Sequence, residues 1–400
     1  MSQEKNLLFF LYRYPFVGGI ESVTTVLANY MADAGYRVHI LSFEKEDSVK
    51  PDLSPEIKIS TLPEERDLRI DFFNRYLAEN GIDVILNQGC FQELSDVLFN
   101  DRLPAKCRIV SALHGIPMHE VLWASQNQRE KIIRKRRGIM RYYKLAINHL
   151  RLNKHCRKTK KNALINQKRV YELSQEVVLL TSLYEQEYRR KYRIADSGKL
   201  TVIPNPTAFA DLSGGIDAAT VAAQKEILYV GRLSRSDKRV DRLIRIWSKI
   251  WKRNPEWKLR IIGDGPDKES LMRLSSRYGA GNILFEGYKN PAGFFANASV
   301  ICLTSQMEGY PVALTEGICM GLVPIAFDCS EGIRDLLQGG KSGILIKPFD
   351  LNRYASELEK LMKDEALREA YARACLENST RFRIRTIGAE WEKLLFGACH

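Results

Sequence analysis

The chain has 400 residues, 45% hydrophobic and 27% charged, which excludes a disordered or fibrous protein and allows two domains. Its formal net charge of +13 is concentrated, because residues 129–169 hold sixteen Lys/Arg and the single acid Glu130. The remainder is close to neutral, so the basic character needs a local explanation rather than a global one.

In chain order, "NLLFFLY" (6–12) is a short continuous apolar run, the signature of a strand buried on both faces. A loop with Gly18 and Gly19 follows. Ile20, Val23, Val26, Leu27, Tyr30, Met31 and Ala34 then recur at helical spacing, Gly35 stops the helix, and "YRVHILSF" is the next strand. This strand–Gly loop–helix–strand unit is Rossmann-like. Further strands are expected at "DVILNQ" (83–88) and "CRIVSALH" (107–114).

From residue 226 the alternation is regular, beginning with strand "EILYVG", helix "RVDRLIRIWSKIW" and strand "WKLRIIGDG". "NILFEG", "SVICLTS", "VPIAFD" and "SGILIK" are further strands, with helices between them. Alternating β and α elements imply parallel strands with right-handed crossovers. The expected fold class is therefore α/β, with two doubly wound Rossmann-like domains around a central cleft. The expected boundaries are 1–205 and 206–379, with a join in the Pro- and Gly-rich "VIPNPTAFADLSGG" (202–215) and a tail at 380–400 able to return to the first domain.

Eight scattered cysteines form no C-x-x-C and no zinc-ligand spacing, so the thiols are read as reduced and buried and no metal site is expected. The start lacks the plan of a signal peptide, and no apolar stretch reaches membrane-spanning length. A cytoplasmic protein is the expectation.

Ligands of open α/β sheets bind at the carboxyl ends of strands. Gly18 and Gly19 lie at one such end and let a backbone approach an anion; a plain tight turn has the same sequence. Arg232 and Lys238 in "VGRLSRSDK" suit a diphosphate, although loop cations are commonly just solvated. His114 ends another strand, where a satisfied surface imidazole is the simpler explanation. In "SQMEGYPVALTEG", Pro311 is expected at the first helical position, leaving the amides of Val312, Ala313 and Leu314 free. Glu308 lies in the loop and Glu316 on the helix; a carboxylate can accept two vicinal hydroxyls, or simply face water.

Taken together in this order, these stretches resemble the retaining glycosyltransferases of family 4, which have the GT-B fold. "EGYPVALTE" matches their E-x7-E signature, and "ILYVGRLSRSDKRVDRLIRIW" looks like their phosphate-binding segment. "VIPNP" and "GGIES" have counterparts there too. The likeness is strong over 200–350, fair over 1–45 and weak across the basic middle. It implies that Arg232 and Lys238 hold the diphosphate of a nucleotide sugar, with UDP expected from family usage. Glu316 would take the ribose hydroxyls. Glu308, with the amides of Tyr310, Val312 and Ala313, would meet the donor sugar and phosphate. Gly18 and Gly19 would approach the phosphate, and His114 the sugar. Gly317 and Ile318 stand where Ala-Met is usual, and Ile333 where Pro is common, which bears on sugar choice.

The resemblance implies transfer of a hexose or N-acetylhexosamine with retention. No D-x-D occurs in the chain, so cations of the protein are expected to serve the diphosphate without a metal. The basic segment 129–169 suits an anionic membrane surface, hence a membrane-borne saccharide acceptor from bacterial surface polysaccharide or lipopolysaccharide synthesis. Nucleic acid is not expected as a partner, because no stacking-aromatic pattern accompanies the charge. The alternatives are a basic membrane- or nucleic-acid-binding protein without transferase activity, and a sugar-nucleotide epimerase of the same fold.

Overall fold

The computed structural model describes residues 5–89, 91–104, 107–117, 157–194 and 198–397. The chain divides into two compact units, one of residues 1–206 and 384–400, the other of residues 207–383.

Unit 1 is built on a seven-stranded parallel sheet in the order β3-β2-β1-β4-β5-β6-β7. Its strands are β1 (Asn6–Arg13), β2 (Arg37–Glu44), β3 (Lys58–Thr61), β4 (Val84–Asn87), β5 (Arg108–Leu113), β6 (Glu176–Leu179) and β7 (Leu200–Val202). Alternation along β1 feeds two cores. Leu7, Phe9 and Leu11 pack with Leu27, Ala28 and Met31 of α1 (Gly19–Asp33). Leu8 and Phe10 pack on the other face with Phe73, Leu77 and Leu98, from α2 (Arg69–Glu79) and α3 (Gln92–Leu98). The helix Ile384–Phe396 belongs to this unit, adding Ile387, Trp391 and Leu395 to the α1 side of the core. Gly388 lets it close in, since a Cβ there would lie 2.3 Å from the Tyr30 ring.

Most of the basic segment 129–169, and with it the membrane-surface expectation, lies outside the described residues. Residues 157–173 are helical. Arg169 is anchored, donating to Asp96 at 2.7 Å and to the Phe99 carbonyl at 2.6 Å. Among the described residues no helix is long and apolar enough to cross a membrane.

Unit 2 has a six-stranded parallel sheet in the order β10-β9-β8-β11-β12-β13. Its strands are β8 (Glu226–Val230), β9 (Lys258–Ile262), β10 (Ile283–Gly287), β11 (Val300–Leu303), β12 (Val323–Phe327) and β13 (Ile344–Ile346). After β8 the chain winds outward to β9 and β10, then returns to place β11 on the other side of β8. The order therefore reverses between β8 and β11, the position where open α/β sheets bind ligands. In unit 1 the same reversal falls between β1 and β4. The expected α/β class with two doubly wound parallel sheets is what the chain adopts.

Candidate active site

In unit 2 the reversal point gathers charge. Lys238, in the loop after β8, donates to both oxygens of Glu308, in the loop after β11, at 2.8 and 3.0 Å. Glu308 is buried and also accepts the Ser305 hydroxyl. Its loop is fastened from below by buried Arg242, which donates to the Thr304 carbonyl at 3.3 Å and to the Gln306 side chain while lying 4.0 Å over the Phe349 ring. The glutamate is therefore held by the fold, and the lysine is held by the glutamate.

Arg232 is 62% exposed and donates to Asp237 at 2.6 Å. Burial disfavours charge on Asp237, but the Ser234 hydroxyl, Arg232 and Lys238 outweigh it and hold the carboxyl at about 2. The Asp237 carbonyl accepts the Gln306 amide at 2.6 Å, tying the β8 and β11 loops together. Reading the sequence for charge alone passed over Asp237, Ser305 and Arg242. For Asp237 the available signal was Ser-x-Ser-Asp, a set of short hydrogen-bonding side chains in one loop.

The β8 loop also packs on the β9 loop backbone to backbone. Leu233 donates its amide to the Asp264 carbonyl at 2.8 Å, and Asp267 returns one to the Leu233 carbonyl at 3.2 Å. A Cβ on Gly263, at φ +138°, would lie 2.0 Å from the Gly231 carbonyl oxygen. The pattern Gly-Asp-Gly directly after a strand was the clue to this approach.

Helix α4 (Val312–Cys319) follows the β11 loop. The helix begins one residue later than expected: Pro311, at φ −72° and ψ 107°, is the residue before the first turn. Its carbonyl accepts the Leu314 amide at 3.0 Å, so Leu314 is not free for a ligand, contrary to expectation. The amides of Val312 and Ala313 have no acceptor among the described residues, as first-turn geometry dictates. The Tyr310 side chain is buried and donates to Asp335 at 3.2 Å, so this residue fixes the loop. Glu316 is half-buried on α4, and its carboxylate has no hydrogen-bond or ion-pair partner among the described residues. Burial pushes its carboxyl up to about 7.

Gly18, Gly19 and His114 belong to unit 1. Gly18 is extended at φ −166° and precedes α1, and a Cβ there would strike the Glu21 carboxylate. His114 follows β5, with Nδ1 3.1 Å from Asn205 Oδ1 and Nε2 against the Gln88 amide. Burial pushes the imidazole down to about 4, so it is neutral at pH 7. A neutral ring offers one donor, so one of the two amides must turn its nitrogen inward. Gln88 suits this, because its Nε2 is otherwise buried without a partner. Among the described residues no group of three or more His, Cys, Asp or Glu side chains is gathered.

Two doubly wound parallel-sheet units, one with cations and a buried acid gathered where its strand order reverses, define a two-domain α/β protein with a candidate ligand site at a topological switch point. Residues 17–208 match the family described as Glycosyltransferase Family 4, and residues 218–376 the one described as Glycosyl transferases group 1. The chain belongs to the family 4 type of glycosyltransferases.

Among curated relatives, an exopolysaccharide phosphotransferase of Streptomyces coelicolor is 31% identical over 49% of this chain and 20% of its own length. The amylovoran biosynthesis glycosyltransferase AmsD of Erwinia amylovora is 27% identical over 55% of this chain and 63% of its own. The chain thus spans less than two thirds of either. HepE of Anabaena, crystallised with UDP and glucose, superimposes with a TM-score of 0.73 at 16% identity, covering 98% of this chain and 100% of that one. That likeness gives the GT-B fold.

Proposed function

We propose that this chain is a retaining glycosyltransferase that moves a hexose or N-acetylhexosamine from a nucleotide sugar, UDP-linked, to a saccharide acceptor. The observation that carries the reading is the Lys238–Glu308 pair across the β8/β11 reversal point, flanked by exposed Arg232 and partnerless Glu316. Arg232 and Lys238 supply charge for a diphosphate, and the free amides of Val312 and Ala313 add donors. Glu316 takes the ribose hydroxyls as an ionised acceptor.

In the proposed reaction the anomeric C–O bond to the diphosphate breaks while the acceptor oxygen bonds to the same face of the sugar. The acceptor proton passes to a leaving phosphate oxygen. Negative charge grows on the diphosphate, and Arg232 with Lys238 stabilises it, without a metal. Lys238 must share itself between Glu308 and phosphate, so donor binding loosens Glu308 toward the sugar. Neutral His114, with Gly18 and Gly19, is assigned to the donor sugar and phosphate from unit 1. The names of the two relatives support polysaccharide synthesis as the setting, and the HepE crystal supports UDP. A membrane-borne acceptor and contact of 129–169 with an anionic surface in the cytoplasm complete the proposal.

The test is thermal shift and turnover with UDP-, GDP- and ADP-sugars, with and without EDTA. UDP-sugars should stabilise the protein, and Arg232→Ala and Glu316→Ala should each remove most of that shift. Turnover should survive EDTA. No stabilisation by any nucleotide sugar overturns the reading, and activity lost in EDTA and restored by Mg²⁺ overturns its metal-free form.

A further inference from the structure

Unit 1 carries an aromatic corner at the carboxyl edge of its sheet that the donor reading leaves unused. Tyr12, near the end of β1, is half-buried and stacks on Phe43 with centroids 5.7 Å apart and planes at 12°. Phe91, which follows β4, meets Tyr12 at 5.9 Å and 61°. Phe43 is 6% exposed, whereas Phe91 is 44% exposed and so keeps a ring in water. The ring rests against Gly89, where a Cβ would lie 3.5 Å away, and the preceding residue, Gln88, touches His114. The corner therefore sits at the β1/β4 reversal point and is continuous with the His114 cluster.

Its rim is acidic. The Tyr12 hydroxyl donates to Glu44 at 3.3 Å, and Arg13 Nε donates to the other oxygen of that carboxylate at 2.9 Å. Glu93 is exposed and has no ion-pair or hydrogen-bond partner among the described residues. An open aromatic face beside a free carboxylate complements a neutral polyhydroxylated ring. The polarised C–H bonds of a pyranose lie on the negative face of an arene, and its hydroxyls donate to carboxylate.

We propose that Tyr12, Phe91 and Glu93 form a platform on which a pyranose ring of the saccharide acceptor stacks. The inference rests on the transferase reading and names the acceptor side of it.

The test uses the full chain and saturation-transfer NMR with methyl α-glucoside, methyl α-galactoside and their N-acetylamino counterparts. Acceptor-independent hydrolysis of UDP-glucose is measured in parallel. At least one glycoside should receive saturation from the wild type. Phe91→Ala should cut that signal about tenfold, Glu93→Gln should weaken it, and Phe91→Tyr should keep it. Donor hydrolysis should be unchanged in all three. Binding to none of the glycosides, or equal binding by wild type and Phe91→Ala, overturns the platform even where donor is hydrolysed. Phe91-dependent sugar binding without hydrolysis of any nucleotide sugar upholds the platform and counts against the transferase.

Discussion

Glu316 carries the most direct pH signature. Its carboxyl stands at about 7 because burial disfavours charge and nothing among the described residues pairs with it. Two ribose hydroxyls would favour the ionised form, so nucleotide-sugar binding should release a proton. Affinity for UDP-glucose should fall about fivefold from pH 7 to pH 6, and change little above pH 8. Glu316→Gln should bind weakly at every pH and show no slope, as read by isothermal titration across that range. A wild-type slope retained in the variant would assign the proton elsewhere. In the sequence this residue is legible only as one member of a spaced pair. That Glu308 is the partnered one and Glu316 the partnerless one depends on Lys238, seventy positions away from Glu308, arriving at the same spot. Charge and spacing in a chain do not state which strands become neighbours.

At the scale of elements, strands and helices were legible because strands buried on both faces of a parallel sheet must be continuous apolar runs, as in "NLLFFLY" and "SVICLTS". Loop conformation was less so. Pro311 was expected inside the first turn, yet its backbone is extended and its carbonyl takes the Leu314 and Thr315 amides, leaving two free donors where three were expected. The β8 and β9 loops meet through bare backbone, and only glycine fits at 263. Gly263→Ala should cost unit 2 roughly 3 kcal/mol, from the unfavourable φ and a forced separation of the loops. Gly214→Ala, where φ is ordinary and nothing lies within 4 Å, should leave stability unchanged. Urea unfolding of the two variants beside wild type measures this. A Gly263→Ala variant as stable as wild type would show that the loops part freely.

Across the whole molecule, unit 1 is discontinuous in sequence. Its last helix, Ile384–Phe396, seals the α1 side of the core, where Tyr36 stacks on Phe396 at 4.2 Å and Tyr30 donates to Glu392 at 2.9 Å. A chain ended at Arg383 exposes Leu27, Met31 and their neighbours. It should bind a hydrophobic dye and be cleaved by protease within unit 1 at least tenfold faster than the full chain, while unit 2 resists; equal resistance of unit 1 would refute this.

That return of the chain fixes an order of events on the ribosome. The first sheet to be synthesised waits, with one flank bare, until Ile384–Phe396 has left the exit tunnel, whereas unit 2 has all of its residues sooner. The unit that is begun first is thus the later of the two to become complete. A stop codon just ahead of that helix would therefore strike the half of the protein farthest from it in sequence.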